Sequence, residues 1–225
     1  MDREADDPAC IRVVVADTQT AGRGRRGHTW ESPPGAGLYF SIVWRPYVSM
    51  AVLPLVTLAA GVGVHEGLRL ATGLAPDLKW PNDLLVGRRK VAGILAEGSA
   101  IGTPHQAVVI GVGINVRASA YSPDLIGRAT SLDGELGRSI DRGFVLASVL
   151  EALGDSLSRL DRDPSGILRA WRAAAPSADG TRVEWDTPEG ERRGLTAGID
   201  DTGALLVRTT AGMERVIAGE LRWNL

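Results

Sequence analysis

Apolar, β-branched positions fall into short runs separated by polar, glycine-bearing stretches, a rhythm that predicts a mixed α+β chain. Ile11–Ala16 is almost wholly apolar and reads as a buried strand, and Leu38–Trp44 reads as the next. Between them Asp17–Ser32 has no periodicity and reads as a loop, followed by a turn at Ser32-Pro33-Pro34-Gly35. Met50–Thr72 places Leu53, Ala60, Val64, Leu68 and Ala71 on one helical stripe, with Pro54 in the first turn and Gly73 at the end. Gly61, Gly63 and Gly67 lie inside that helix and oppose it energetically. His65, on the same stretch, reads as a structural histidine.

Leu78–Trp80, Leu84–Val86, Lys90–Glu97 and Ala107–Val116 then read as an antiparallel meander, with turns at Pro81-Asn82-Asp83, Gly87-Arg88-Arg89 and Gly102-Thr103-Pro104. Residues 117–141 are irregular, and helical spacing returns over Gly143–Asp161 and Ser165–Ala175. After Pro176 the pattern changes to closely spaced short strands: Arg182–Trp185, Arg193–Ile199, Leu205–Thr209 and Glu214–Ile217. Such spacing predicts a small barrel. The expected organisation is one domain over residues 1–176 and a small second one over 177–225.

Composition narrows the function classes. The formal charge of −2 gives no general reason to expect a nucleic-acid or acidic-membrane partner, so any basic site is local. A single cysteine, Cys10, rules out an internal disulfide and any metal site built from several thiolates; it reads as a strand-edge hydrophobe. No apolar run is long enough to predict a membrane span, and the acidic start Met1-Asp2-Arg3-Glu4-Ala5-Asp6-Asp7 is not a secretory signal, which makes the cytoplasm the expected location. Of 25 basic residues only two are lysine, Lys79 and Lys90. Where arginine serves almost everywhere else, a retained lysine points to a site that needs a compact ammonium rather than a planar fork.

Two segments carry candidate chemistry. Gln19-Thr20-Ala21-Gly22-Arg23-Gly24-Arg25-Arg26-Gly27-His28-Thr29-Trp30 sets arginines among glycines. Glycines let the backbone approach a ligand, successive N–H groups form an anion nest, and guanidinium forks match phosphate or carboxylate. The spacing is neither a Walker A loop nor a dinucleotide fingerprint. Three like charges in four residues repel, which predicts a loop ordered by an anionic ligand; a solvent-facing basic turn would carry the same pattern. In Lys79-Trp80-Pro81-Asn82-Asp83 the proline favours an extended Trp80, so Lys79 and Trp80 are expected on opposite faces, one to a pocket and one to a core. Lys79 there could neutralise a carboxylate or phosphate where charge develops, Asn82 offers donor and acceptor, and Asp83 could hold the turn or help place a cation. A polar turn between two strands is the alternative.

Together these segments, in order with Lys90-Val91-Ala92-Gly93-Ile94-Leu95, Glu97, Gly111-Val112-Gly113-Ile114-Asn115-Val116 and Ala129-Thr130-Ser131-Leu132, resemble the motifs of biotin protein ligases. The resemblance spans roughly residues 12–133 in motif and the remainder in architecture. It implies an α+β fold, with a mixed or antiparallel sheet packed with helices in a class II synthetase-like catalytic domain, followed by a small SH3-like β-barrel. It implies ATP-dependent activation of biotin to biotinyl-5′-AMP and transfer of biotin to a lysine of a biotin carboxyl carrier protein domain of an acyl-CoA carboxylase, with Mg²⁺ accompanying ATP.

Transferred onto this chain, the resemblance makes Gln19 a biotin-side contact and Arg23, Gly24 and Arg25 the loop over biotin and the adenylate. It sets Lys79 beside the reacting carboxylate and α-phosphate, Gly93 on the pocket floor, Asn115 on the nucleotide side, and Lys90 as phosphate-side support. Arg25 and Lys79 are the expected catalytic residues.

Two departures stand out. His28 replaces a usual arginine, which predicts a weaker phosphate contact. The family's Ser-Thr-Asn stretch and helix before the first strand are absent, so the chain is expected to be truncated at its N-terminus relative to the family, with no helix-turn-helix and no repressor role. An edge strand of the meander offers a surface for a homodimer. The rival expectations are a lipoate ligase or octanoyl transferase relative, and an inactive truncated homologue acting as a binding module.

Overall fold

The structure, a computed structural model, describes residues 11–45, 52–103, 106–217, 219 and 221–224. Cys10 and the acidic start, the first residues of the Met50–Thr72 segment and Pro104 lie outside the described residues.

Six strands form the first sheet: β1 (Arg12–Ala16), β2 (Gly37–Trp44), β3 (Asp77–Lys79), β4 (Asp83–Val86), β5 (Arg89–Ser99) and β6 (Ala107–Asn115). Their order is β1-β2-β6-β5-β4-β3, and every pairing is antiparallel. The expected buried β1 is instead an edge strand, with Val13, Val14 and Val15 exposed. A continuous apolar run does not by itself separate an edge from a centre, because β propensity scores the pleat and not its neighbours.

Helices α1 (Val56–Thr72), α2 (Leu132–Leu136), α3 (Arg142–Arg162) and α4 (Pro164–Ala173) follow the chain order, and α1 packs chiefly on α3. Short 3₁₀ turns and α2 punctuate the stretch read as irregular. Alternation sets the two faces of the sheet. Ala92 and Ile94 of β5 and Ile110, Val112 and Ile114 of β6 join the core with α1, α3 and α4, leaving Gly93, Leu95, Gly111 and Gly113 for the opposite face.

The glycines of α1 have a packing cause. A Cβ on Gly67 would stand 2.5 Å from Val149 Cα, and one on Gly63 2.7 Å from Leu153 Cα, so both permit close approach of α3. Gly67→Ala is therefore expected to lower stability by about 1–2 kcal/mol in urea unfolding, overpacking outweighing the gain in helix propensity. Gly154→Ala on α3, where a Cβ meets nothing within 4 Å, is expected to raise stability by about 0.5–1 kcal/mol. Equal effects of the two would sink this account of the α1–α3 contact.

A second sheet contains β7 (Asp179–Thr187), β8 (Gly190–Ile199), β9 (Leu205–Thr209), β10 (Gly212–Val216) and β11 (Arg222–Asn224), in the order β10-β9-β8-β7-β11 and again antiparallel. Register shifts interrupt β7–β8 and β8–β9. The C-terminal unit is the small all-β unit that the strand spacing predicted, a five-stranded antiparallel sheet in which β10 and β11 do not pair among the described residues. Among the contacts that tie it to the first unit, Trp80 Nε1 donates to Gly203 O at 3.0 Å, Arg172 donates to Ile199 O at 2.9 Å, and Val183, Trp185 and Leu205 join the common core. Among the described residues, no helix is long and apolar enough to cross a membrane.

Candidate active site

A cleft of about 350 Å³ opens on the glycine-bearing face of the first sheet, within the range of small-molecule sites. Its floor is a cross-strand pair of glycines, Gly93 of β5 opposite Gly113 of β6. Trp30 lies across that pair: a Cβ on Gly113 would stand 2.4 Å from the indole, and one on Gly93 2.9 Å. The two glycines thus make a flat slot that any side chain would fill. Among the described residues the buried Trp30 Nε1 has no hydrogen-bond partner, which leaves a donor beside Gly113 unsatisfied.

The basic loop forms a hairpin between β1 and β2. Trp30 N donates to Gly22 O at 3.0 Å and Gly24 N to His28 O at 2.7 Å. A single 3₁₀ turn at Arg25–Gly27 reverses the chain, with Arg26 at φ 54° and Gly27 at φ 79° in the left-handed region. Gly22 is required where it stands, because a Cβ would lie 2.3 Å from Trp30 O and 2.7 Å from Gln19 Oε1. Gln19 Oε1 in turn accepts from Ser32 Oγ at 2.8 Å, which holds the amide at the cleft wall.

The loop reaches the opposite wall through two contacts. Arg23 pairs with Glu97 of β5 at 2.8 Å, and Arg25 Nη1 donates to Asn82 Oδ1 at 3.3 Å. Burial, then the neighbouring Arg26 charge, pulls the Arg25 pKa down, while Asp83 opposes them. The guanidinium stays charged at neutral pH, and its surroundings favour the arrival of further negative charge.

Lys79 ends β3, and the three-residue turn Trp80-Pro81-Asn82, with a cis Trp80–Pro81 peptide bond, returns the chain to Asp83, which pairs with Lys79 in register. Lys79 lines the cleft, and Trp80 is buried in the core while also bordering the same cleft, so the expected division between the two is only partial. Asn82 bridges strands: Nδ2 donates to Ile94 O at 2.8 Å and Ile94 N to Asn82 O at 2.9 Å. Lys90 meets Asp83 at 2.5 Å and stands 5.2 Å from the Trp30 ring centroid. The cleft therefore gathers cations from three segments, the loop arginines Arg23, Arg25 and Arg26 with Lys79 and Lys90, over a glycine floor.

Gln19, Arg23, Gly24, Arg25, Lys79 and Gly93 all line this cleft. Asn115 does not join them. It is buried behind Lys90, and its Nδ2 donates to Lys90 O at 3.4 Å and Thr130 O at 3.0 Å. Its observed contacts brace the strand that carries Lys90 instead of reaching the cleft wall. Sequence reasoning missed the part of the wall contributed by the C-terminal sheet, Leu221 and Trp223, because Arg222–Asn224 is too short to register as a strand.

No group of three or more His, Cys, Asp or Glu side chains suited to a metal occurs among the described residues. Asp83 and Glu97 are the carboxylates in the cleft, each already paired with a cation. That donor set fits Mg²⁺ carried on nucleotide phosphates with one or two protein carboxylates, and does not fit an all-protein cage.

Comparison with known proteins adds an independent line. Residues 6–115 match the Biotin/lipoate A/B protein ligase family, and residues 180–221 match the Biotin protein ligase C terminal domain. A Biotin--[acetyl-CoA-carboxylase] ligase of Paracoccus denitrificans is 36% identical over 216 residues, covering 92% of this chain and 88% of that protein. The Bifunctional ligase/repressor BirA of Bacillus subtilis is 35% identical over 93% of this chain, which spans 65% of that relative's length. A biotin protein ligase from Aquifex aeolicus, solved in complex with biotin and ATP, superposes with a TM-score of 0.81 at 31% identity, covering 94% of this chain and 88% of that one.

Proposed function

The chain belongs to the biotin protein ligase family, and from that premise we propose that it activates biotin with ATP and passes the biotinyl group to a lysine of a biotin carboxyl carrier domain. The observation that carries this reading is the convergence of Arg25, Lys79 and Lys90 on one glycine-floored cleft. No described residue is needed as a covalent nucleophile. In the first step a biotin carboxylate oxygen attacks the α-phosphorus of ATP, and pyrophosphate leaves. In the second, the acceptor amine attacks the acyl carbon, AMP leaves and the amine loses a proton.

Both steps build negative charge on oxygens, and preorganised cations lower their barriers. Lys79 and Arg25 face that charge; Lys90, held by Asp83, supports the phosphate side. Gln19, fixed by Ser32, is assigned to biotin, and the Arg23-Gly24-Arg25 turn to the cover over the adenylate. Gly93 is assigned to the pocket floor, where with Gly113 it lets the Trp30 ring lie against the sheet. Asn115 is assigned to the nucleotide side, acting through the Lys90 and Thr130 carbonyls it holds. Mg²⁺ bound with ATP would screen the phosphates, with Asp83 and Glu97 as the carboxylates within the cleft.

The test is biotin-dependent exchange of labelled pyrophosphate into ATP, followed by transfer to a carrier domain. Exchange that requires biotin is expected. Its absence, with the chain folded, would overturn the ligase reading in favour of a binding module.

A further inference from the structure

Lys79 and Trp80 are consecutive, and both are engaged by the C-terminal sheet. Trp80 Nε1 donates to Gly203 O at 3.0 Å. The Lys79 ammonium stands 5.6 Å from the centroid of the Trp223 ring. Trp223 lies in the middle of β11, opposite Val183 of β7, and packs half-buried against the common core while lining the cleft. Packing fixes the ring, and its face is turned to a cation within the distance at which the indole quadrupole attracts one.

We propose that Trp223 is a positioning residue for Lys79: its indole helps hold the ammonium over the cleft, so that the C-terminal sheet takes part in setting where this charge stands during adenylate formation. A lysine stem has four rotatable bonds and loses catalytic value if its head wanders. An aromatic face held by packing narrows the positions open to the ammonium in front of it. The two lysines of the chain thus stand over two different indoles, Lys79 over Trp223 and Lys90 over Trp30, contributed by opposite ends of the sequence. The kinetic part of this inference rests on the ligase reading; the contact itself does not.

Two measurements test it. In pyrophosphate exchange, Trp223→Leu is expected to lower kcat about tenfold while leaving the KM for biotin within about threefold, and Trp223→Phe to restore most of the rate. Adding Trp223→Leu to Lys79→Met is expected to cost nothing further, since the residue acts through the lysine; a merely structural tryptophan would slow both backgrounds alike. Because the sequence has only two lysines, reductive ¹³C-dimethylation gives two side-chain signals, assigned with Lys90→Arg. The Lys79 signal is expected to lose its ring-current shift in Trp223→Leu while the Lys90 signal stays. An unmoved Lys79 signal, or additive rate losses, overturns the proposal. A folded wild-type chain without exchange overturns the ligase reading, and the NMR signal alone then decides whether Trp223 holds Lys79.

Discussion

Lys79→Arg is expected to slow biotin-dependent pyrophosphate exchange by about a hundredfold, although the formal charge is unchanged, because removing one preorganised donor typically costs 10²–10³ in rate. Lys79 closes β3 immediately before a turn whose other members are fixed: Trp80 is buried and bonded to Gly203, and Asn82 is bonded to both sides of Ile94. The backbone beneath the side chain has little freedom to compensate for a longer head group. A guanidinium is planar, wider and more weakly hydrated than an ammonium, and it stacks on an aromatic face instead of pointing a compact charge past it. Over Trp223 an arginine would lie flat on the indole, with its charge spread away from the reacting oxygens. Biotin binding, measured by calorimetry, should change little, since the lost interaction belongs to the transition state. An arginine variant with the wild-type exchange rate would remove the argument from the scarcity of lysine in this chain.

That scarcity is legible in the sequence itself, and so is most of the fold. Strands were marked by β-branched runs, the meander by its glycine and proline turns, and the helices by leucine spacing. What could not be read depends on contacts between distant segments. Gly63 and Gly67 looked like defects in a helix until α3 was found against them. β1 looked buried because its composition records propensity, while its neighbours are set by topology. Gly93 and Gly113 sit in separate motifs, and only the β5–β6 register makes them adjacent and turns them into a slot for Trp30. Trp223 followed the same rule, being unremarkable in its own segment and brought by the fold against a cation placed by another. Asn115, read from its motif as a nucleotide contact, proved to be committed to carbonyls behind the cleft. Motifs located the chemistry, and strand register decided which of their members face it.

Arg25→Gly is expected to speed release of biotinyl-adenylate by about 10- to 100-fold, since a hydrogen bond to a charged group contributes about 1.5–3 kcal/mol. Arg25 is half-buried at the start of the 3₁₀ turn, and its one described side-chain bond, to Asn82, is long at 3.3 Å. Burial and the adjacent Arg26 both work against its charge, so an adenylate phosphate would be a stronger partner than the amide it replaces. Glycine removes that partner and also frees the backbone of the turn, so closure of the loop over the product loses both enthalpy and preorganisation. Folding should be nearly unaffected, because the turn buries no residue of its own. Arg23→Gly provides the contrast. It breaks an exposed pair with Glu97, and exposed pairs contribute about 0–1 kcal/mol, so release should quicken by less than about fivefold. The check is stopped-flow release of the preformed adenylate, together with labelling of lysines on proteins that lack a carrier domain. Escaped adenylate acylates any accessible amine, so faster release and indiscriminate labelling should rise together. Unchanged release from Arg25→Gly would mean that the loop retains the product through its backbone nest alone, and that the guanidinium serves only the chemical step.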